Sequence, residues 1–351
     1  MCRQRMMESF SPASMESTYQ MPRSLDASLI PLSERALQPN RGVPLNLDWI
    51  DAVRVNTSAL ERRAATLVTR RSVKKDWQAA WLLRAISCMD LTTLSGDDTE
   101  QRVLRLCAKG RQPVQRSILK QLGLESFELK VAAICVYHTF VEAALRGTEG
   151  SGIKVAAVST GFPTGLSPLA ERVGEIRRSV EAGAHEIDVV ITRAHVFAAR
   201  WQALYDEIAT FKEACGRAHI KVILGTGDLV TLRNVARASM VAMMAGADFI
   251  KTSTGKEAVN ATLPVGLVMT RAIREYAQQT GMSVGFKPAG GIRTAKQSLE
   301  WLSLMKEELG DLWLNATLFR FGASGMLADI ERQLEYYATG RYSADYRHPI
   351  A

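Results

Sequence analysis

The sequence has few cysteines, no long apolar run and no concentrated block of charge. Its five cysteines are widely spaced and include no C-x-x-C pair, which argues against a disulfide framework or a zinc site. Its longest apolar runs, such as Val131–Val136, fall far short of the ~20 residues that a membrane helix needs. The net charge of +8 is dispersed along the chain, so it suits an anionic small substrate better than a nucleic acid.

The first 44 residues carry no targeting or folding pattern. They lack the continuous apolar stretch of a secretory signal, and their four acidic residues are atypical of a mitochondrial transit peptide. We therefore expect a cytoplasmic protein, in agreement with the cysteine usage. Residues 1–44 are rich in Ser, Met and Pro without a hydrophobic period, so we predict a flexible N-terminal extension. Residues 341–351 are predicted to form a C-terminal tail.

From residue 45 onward, short apolar runs alternate with longer amphipathic segments. A helical stripe extends from Leu47 to Leu67, and Trp77–Ile86 predicts a second helix. The runs that predict strands are Ile86–Leu91, Val131–Tyr137, Lys154–Thr160, Glu186–Ile191, Lys221–Leu224, Asp248–Thr252, Ser283–Lys287 and Leu318–Gly322. Their number and spacing predict an α/β fold, a (β/α)₈ TIM barrel with extra N-terminal helices over residues 45–340. The alternative is a doubly wound open sheet, although no G-x-G-x-x-G follows the first strand.

Three of the charged residues in these apolar runs are candidates for chemistry. Lys251 and Lys287 each close a predicted strand, 36 residues apart, which is about one βα unit. Burial favours the neutral form of a lysine, and a neutral amine is a nucleophile for carbonyl groups. Asp188 lies inside the fourth run, where a carboxylate is either a structural acceptor or a group that transfers protons. The alternative for the lysines is that they extend to solvent from the strand ends.

Glycine clusters follow the last predicted strands. Gly290–Arg293 follows the seventh strand, with Thr294 as a predicted helix N-cap, and Gly322–Gly325 follows the eighth strand. Glycines let backbone N–H groups approach an anion, and the N-terminus of a helix favours negative charge. Loops after strands 7 and 8 of such barrels commonly bind phosphate, and Thr254–Lys256 would add donors from the sixth loop. The pattern therefore predicts a phosphate site.

These segments resemble the deoxyribose-phosphate aldolase family. FIKTSTGK around Lys251, followed by VNAT, is similar to the active-lysine segment of the family, and VGFKPAGG around Lys287 is similar to its second lysine motif. EIDVV around Asp188, MDLTTL and FGAS also match, and the resemblance extends from about Leu47 to Tyr342. The early helices and the segment SGDD at 95–98 are most similar to the animal-type branch, whereas Gly325 replaces a common serine.

The resemblance implies a class I (Schiff-base) aldolase that needs no metal or other cofactor. Such an enzyme reversibly cleaves 2-deoxy-D-ribose 5-phosphate to acetaldehyde and D-glyceraldehyde 3-phosphate in deoxyribonucleotide catabolism. The resemblance implies that Lys251 forms the Schiff base and that Asp188 transfers protons together with Lys287, which also lowers the pKa of Lys251. It places Gly255, Lys256, Gly290, Gly291, Arg293, Gly322 and Ser324 around the phosphate, and Asp90, Thr92 and Cys135 near the rest of the substrate.

Two other interpretations remain open from the sequence. The first is another Schiff-base sugar-phosphate aldolase, such as a transaldolase-like enzyme. The second is an interaction protein that joins a ribonucleoprotein assembly through its basic surface and its N-terminal extension. The sequence also leaves the oligomeric state open, with a homo-oligomer as one candidate.

Overall fold

Eight parallel strands follow one another around a barrel, and successive strands pair as ladders except the seventh and eighth, which two isolated bridges join. The structure is a computed structural model that describes residues 37–70 and 72–349. The barrel strands are β1 (Met89–Thr92), β2 (Ala133–Tyr137), β3 (Lys154–Ser159), β4 (Glu186–Val190), β5 (His219–Ile223), β6 (Phe249–Lys251), β7 (Gly285–Lys287) and β8 (Phe321–Ala323). The strands lie in the predicted apolar runs, although their ends differ from the predicted ends by a few residues.

The barrel closes between its last two strands and its first. β8 pairs with β1 over Phe321–Ala323, and β7 is joined to the β8 segment by bridges Phe286–Phe319 and Ala289–Gly322. The backbone N–H of Arg320 donates to the carbonyl of Phe286 at 3.0 Å. A closed, sequential and wholly parallel order is that of a TIM barrel, so the predicted fold is confirmed and the open-sheet alternative is wrong.

Helices precede the barrel and connect its strands. They are α1 (Leu47–Ala52), α2 (Thr57–Arg70), α3 (Lys75–Ser87), α4 (Glu100–Arg111), α5 (Arg116–Gln121), α6 (Val141–Thr148), α7 (Leu169–Glu181), α8 (Arg193–Phe197), α9 (Trp201–Cys215), α10 (Leu232–Met244), α11 (Leu263–Thr280), α12 (Ala295–Leu309) and α13 (Met326–Thr339). Each helix in the described part of the chain is too short or too polar to span a lipid bilayer.

The predicted stripe from Leu47 to Leu67 is two helices rather than one. The backbone becomes extended at Val53, which ends α1. The side chain of Asn56 then accepts a hydrogen bond from the backbone N–H of Ala59 at 3.0 Å, which is the contact of a helix N-cap. Because both helices bury residues of the same apolar stripe, periodicity alone does not reveal the break.

Residues 37–44, the last part of the predicted extension, pack against the barrel. Gln38–Pro39 pairs in parallel with Met282–Ser283 at the start of the seventh strand segment. Asn40 is buried, donates to the carbonyls of Met243 and Ala247 at 2.9 and 2.8 Å, and accepts from the hydroxyl of Tyr276. These three hydrogen bonds satisfy the buried side-chain amide of Asn40 and hold residues 37–44 against the barrel. Residues 1–36 lie outside the described residues.

The predicted C-terminal tail also contacts the barrel's helices up to residue 349. His348 is buried, and its Nε2 lies 2.7 Å from Oε2 of Glu335 in α13. The carbonyl of Arg347 accepts a hydrogen bond from the side chain of Gln115 at 3.1 Å. These contacts attach the chain end to α13 and to the start of α5.

The interior of the barrel differs between its two sides. Cys135, Ala156 and Val158 of β2 and β3 form a small apolar cluster that is separate from the main core. Leu94, Tyr137 and Phe162 pack against this cluster. β1, β4, β5, β6 and β7, and Arg320 just before β8, direct charged side chains into the barrel, where they are fully or almost fully buried. The fold thus places buried charges opposite an apolar wall.

Candidate active site

The three charged residues predicted from the strand runs meet inside the barrel. Lys251 and Lys287 are register partners at the ends of β6 and β7. Their ammonium groups donate to the same oxygen of Asp188, Oδ2, at 2.7 and 2.8 Å. Asp188 and Lys287 are fully buried, whereas Lys251 keeps 3% of its surface exposed. The structure therefore joins these residues through one carboxylate and leaves Lys251 as the member nearest to solvent.

Four more charged residues extend this group into what we call the interior charge cluster. Its members are Asp90, Glu186, Asp188, Lys221, Lys251, Lys287 and Arg320. Lys221 donates to the other oxygen of Asp188 at 3.0 Å and also contacts Glu186. Arg320 joins Asp90 to Glu186 at 2.6 and 2.7 Å. Each carboxylate thus contacts at least two cations, which is what buried charges require.

The interior charge cluster has four basic residues and three carboxylates. An uncompensated buried charge is costly, so burial favours the loss of one proton from the four cations. Burial lowers the pKa of Lys251, Lys287 lowers it further, and Asp188 opposes both. Burial alone would also lower the pKa values of Lys221, Lys287 and Arg320, but the neighbouring carboxylates raise them. Lys251 is therefore the group that most readily supplies a neutral amine.

Asp188 remains ionised because its cations outweigh its burial. Burial alone would raise its pKa, but Lys221, Lys251 and Lys287 together lower it well below its usual range. The predicted residue Asp90 behaves in the same way, since its pKa is lowered by Lys221, Lys287 and Arg320 against the effect of burial. Both carboxylates are thus proton acceptors at neutral pH rather than proton donors.

Lys221 and Arg320 are buried in the site but have no strand-end signal in the sequence. Both lie within predicted apolar runs and neither ends its run, so a polar residue at a strand end does not mark them. The sequence signal that could predict these two cations is the two-residue period of a strand. Residues two apart point to the same face, so Glu186 and Asp188 both face the same side of β4. Two carboxylates facing a barrel interior imply cations on other strands, and Lys221 is the register partner of Asp188 on the next strand.

A pocket of about 620 Å³ opens above the interior charge cluster. Lys251 is the member of the cluster that lines it. The other predicted residues that line it are Thr92, Gly255, Lys256, Gly290, Gly291, Arg293, Gly322 and Ser324. Asp90, Asp188 and Lys287 lie beneath the pocket, and Cys135 belongs to the buried apolar wall. The predicted residues thus form two layers, a glycine-rich rim and a charged floor.

Gly322 lets two elements of this site approach closely. A Cβ atom at this position would lie 2.7 Å from the Cβ of Ala289 and 3.2 Å from the Cε of Lys287. Gly290 and Gly291 both have a φ of +81°, a conformation that side chains rarely adopt. These glycines therefore shape the rim and leave room for Lys287.

The two helix ends next to the pocket differ in their free donors. Thr294 caps α12 as predicted, in a capping box with Gln297, and the backbone N–H of Ala295 donates to Asp329 at 2.7 Å. In contrast, α13 follows Gly325 and has no side-chain cap. Apart from the N–H of Leu327, which donates to the carbonyl of Ser324 at 3.1 Å, the first turn of α13 therefore keeps backbone donors for an anion. At α12, side chains already accept the N–H groups of Arg293, Thr294, Ala295 and Gln297.

Comparison with known proteins identifies the family. A family model described as "DeoC/LacD family aldolase" matches residues 84–328, which span all eight barrel strands. The chain belongs to this aldolase family. It is 57% identical over 313 residues to the deoxyribose-phosphate aldolase of Mus musculus, covering 89% of this chain and 98% of the relative. It is 56% identical over 314 residues to the Homo sapiens enzyme, covering 89% and 99%. The family predicted from the lysine motifs is confirmed.

A solved member of the aldolase family shares the fold. The tetrameric deoxyribose phosphate aldolase from Aeropyrum pernix superimposes with a TM-score of 0.54 and covers 80% of this chain and 99% of its own. The two sequences are 22% identical, so this likeness shows the barrel fold alone.

Proposed function

We propose that this aldolase reversibly cleaves 2-deoxy-D-ribose 5-phosphate to acetaldehyde and D-glyceraldehyde 3-phosphate through a Schiff base on Lys251. The observation that carries the proposal is a lysine with a lowered pKa on the pocket floor, 2.7 Å from a buried carboxylate. The names of the mammalian relatives support the substrate. We place the reaction in cytoplasmic deoxyribonucleotide catabolism and expect a homo-oligomer, which the tetrameric relative supports.

The first step requires a neutral amine. The Nζ of Lys251 adds to C1 of the sugar aldehyde, and loss of water leaves a positively charged iminium ion. This cation accepts the electron pair of the C2–C3 bond when that bond breaks, which yields an enamine and D-glyceraldehyde 3-phosphate. Protonation of the enamine at C2 and hydrolysis of the iminium then release acetaldehyde and restore the amine.

Asp188 and Lys287 are placed to transfer the protons of this sequence. Bond cleavage requires removal of the proton from the C3 hydroxyl, and protonation of C2 requires its return. Asp188 is an ionised acceptor that contacts both lysines, and Lys287 is its protonated neighbour. We propose that they carry the proton between substrate and floor. Because Lys251 enters the reaction neutral, the iminium is a new positive charge, and the carboxylate of Asp188, 2.7 Å from this nitrogen, compensates it.

The glycine-rich rim binds the phosphate in this proposal. Lys256 supplies a cation, and the uncapped first turn of α13 supplies backbone donors beside Ser324. Because the phosphate lies at the far end of the sugar from C1, its binding orients the reacting carbons without taking part in bond cleavage.

Trapping of the Schiff base tests the proposal. Acetaldehyde with borohydride should add an ethyl group to the peptide that contains Lys251, and Lys251→Met should abolish both the label and turnover. Lys306→Met, on an exposed lysine of α12, is the matched control and should leave both unchanged. Chelators should have no effect. A label on a different lysine, or turnover by Lys251→Met, would contradict the mechanism, and cleavage without acetaldehyde release would indicate a transaldolase-like enzyme instead.

A further inference from the structure

The loop after β6 contains a carboxylate that occupies its own backbone donors. Oε2 of Glu257 accepts hydrogen bonds from the backbone N–H of Thr254 at 3.0 Å, from its hydroxyl at 2.7 Å, and from the backbone N–H of Gly255 at 3.1 Å. Oε1 shares the Thr254 N–H at 3.0 Å. These donors belong to the segment that the sequence predicts to bind phosphate. The carboxylate of Glu257 therefore already accepts the backbone donors that are expected to bind the substrate's phosphate.

The same carboxylate determines the shape of the loop. The Thr254 hydroxyl, held by Glu257, accepts the backbone N–H of Lys256 at 3.1 Å. The carbonyl of Glu257 accepts from the side chain of Asn260 at 2.9 Å. Gly255, with a φ of +89°, lies in the turn between the residues that these contacts join. Glu257 is thus bonded to the residues before and after the turn that brings Lys256 to the pocket.

We propose that Glu257 is a positioning residue that sets how strongly the site prefers a phosphorylated sugar over its unphosphorylated form. The proposal rests on the proposed function, because it concerns the phosphate end of the same substrate. Glu257 acts in two opposing ways. Its hydrogen bonds hold the loop that presents Lys256, which favours phosphate, and its negative charge repels a phosphate dianion in the same rim, which opposes it.

Two substitutions separate these effects. In Glu257→Gln, the amide oxygen can take the place of Oε2 and retain its three donors, while the charge is removed. The KM for deoxyribose 5-phosphate should then fall by about three- to tenfold with kcat unchanged, and this gain should shrink at high salt. In Glu257→Ala, the donors of Thr254 and Gly255 lose their acceptor and the loop loses its anchor. The KM should therefore rise by about threefold or more.

The test compares both variants on deoxyribose 5-phosphate and on unphosphorylated deoxyribose, with Glu213→Gln, an exposed glutamate in the last turn of α9, as the control. We expect opposite KM changes on the phosphorylated sugar, none on the unphosphorylated sugar, and none in the control. Affinity for inorganic phosphate, measured by calorimetry without turnover, should follow the same order. This keeps the test valid whichever sugar the enzyme cleaves. Equal effects on both sugars, a lowered KM in Glu257→Ala, or an unchanged phosphate affinity in Glu257→Gln would overturn the proposal.

Discussion

Replacement of Lys287 by leucine tests how the interior charge cluster controls the reactive amine. The substitution removes the cation next to Lys251 without leaving a carboxylate unpaired. Asp90 keeps Arg320 at 2.6 Å, and Asp188 keeps Lys221 at 3.0 Å. The cluster then has three basic residues and three carboxylates, so it is electrically neutral only when Lys251 is protonated. We therefore expect its pKa to rise.

The size of this rise follows from the geometry. Both ammonium nitrogens lie within 2.8 Å of the same oxygen of Asp188. They are therefore less than ~6 Å apart, and at an effective dielectric constant of ~20 their repulsion is about 3 kcal/mol. This corresponds to about two pKa units, and relaxation of the pocket brings the expected shift to about one to two units.

The pH dependence of Schiff-base trapping measures the shift. Initial rates of acetaldehyde labelling by borohydride, followed by mass spectrometry, should show a profile displaced to higher pH in Lys287→Leu. Lys306→Leu serves as the control, because this lysine is exposed and pairs with Asp311 on the surface. A trapping profile that keeps the wild-type midpoint while cleavage is lost would refute the electrostatic role. Lys287 would then act in proton transfer or substrate positioning alone.

Three further substitutions test other parts of the site. Asp188→Asn should extend trapping to lower pH, because Asp188 raises the pKa of Lys251, yet slow cleavage by about 10²–10⁴-fold; loss of the folded state instead would indicate a structural role. Gly325→Ser adds a donor where a Cβ meets no atom within 4 Å, so the KM should fall several-fold for deoxyribose 5-phosphate; an equal fall for deoxyribose would refute the assignment. Gly322→Ala should displace Lys287 and lower kcat, and a wild-type kcat would show that Ala289 moves away instead of Lys287.

The fold and the placement of the strand-end lysines can be predicted from the sequence because each depends on a local pattern. Apolar runs at regular spacing predict buried parallel strands, and a lysine at the end of such a run is conspicuous. This pattern marks Lys251 and Lys287, and the closed barrel brings them to one carboxylate. Periodicity does not predict the break between α1 and α2, because its signal, the capping side chain of Asn56, lies between two parts of one apolar stripe.

The remaining features depend on contacts between distant parts of the chain or on the path of a loop. Arg320 contacts Asp90 across 230 residues of sequence, and no local pattern indicates this pairing. The packing of Asn40 against Tyr276 likewise gives no periodic signal. Glu257 is close in sequence to its donors, but its return to them depends on backbone angles that the residue types alone do not determine.

The interior charge cluster is divided by sign along the chain. Its three carboxylates come from β1 and β4, and its four cations come from β5, β6, β7 and the residue just before β8. A fragment that ended after β4 would have to bury acids without these bases, and a fragment that began at β5 would have to bury bases without these acids. Either half alone is therefore electrostatically frustrated, whereas the two together are complementary. This barrel should consequently resist dissection into independently folding halves, and it should recover its structure from two separate fragments only when both are present.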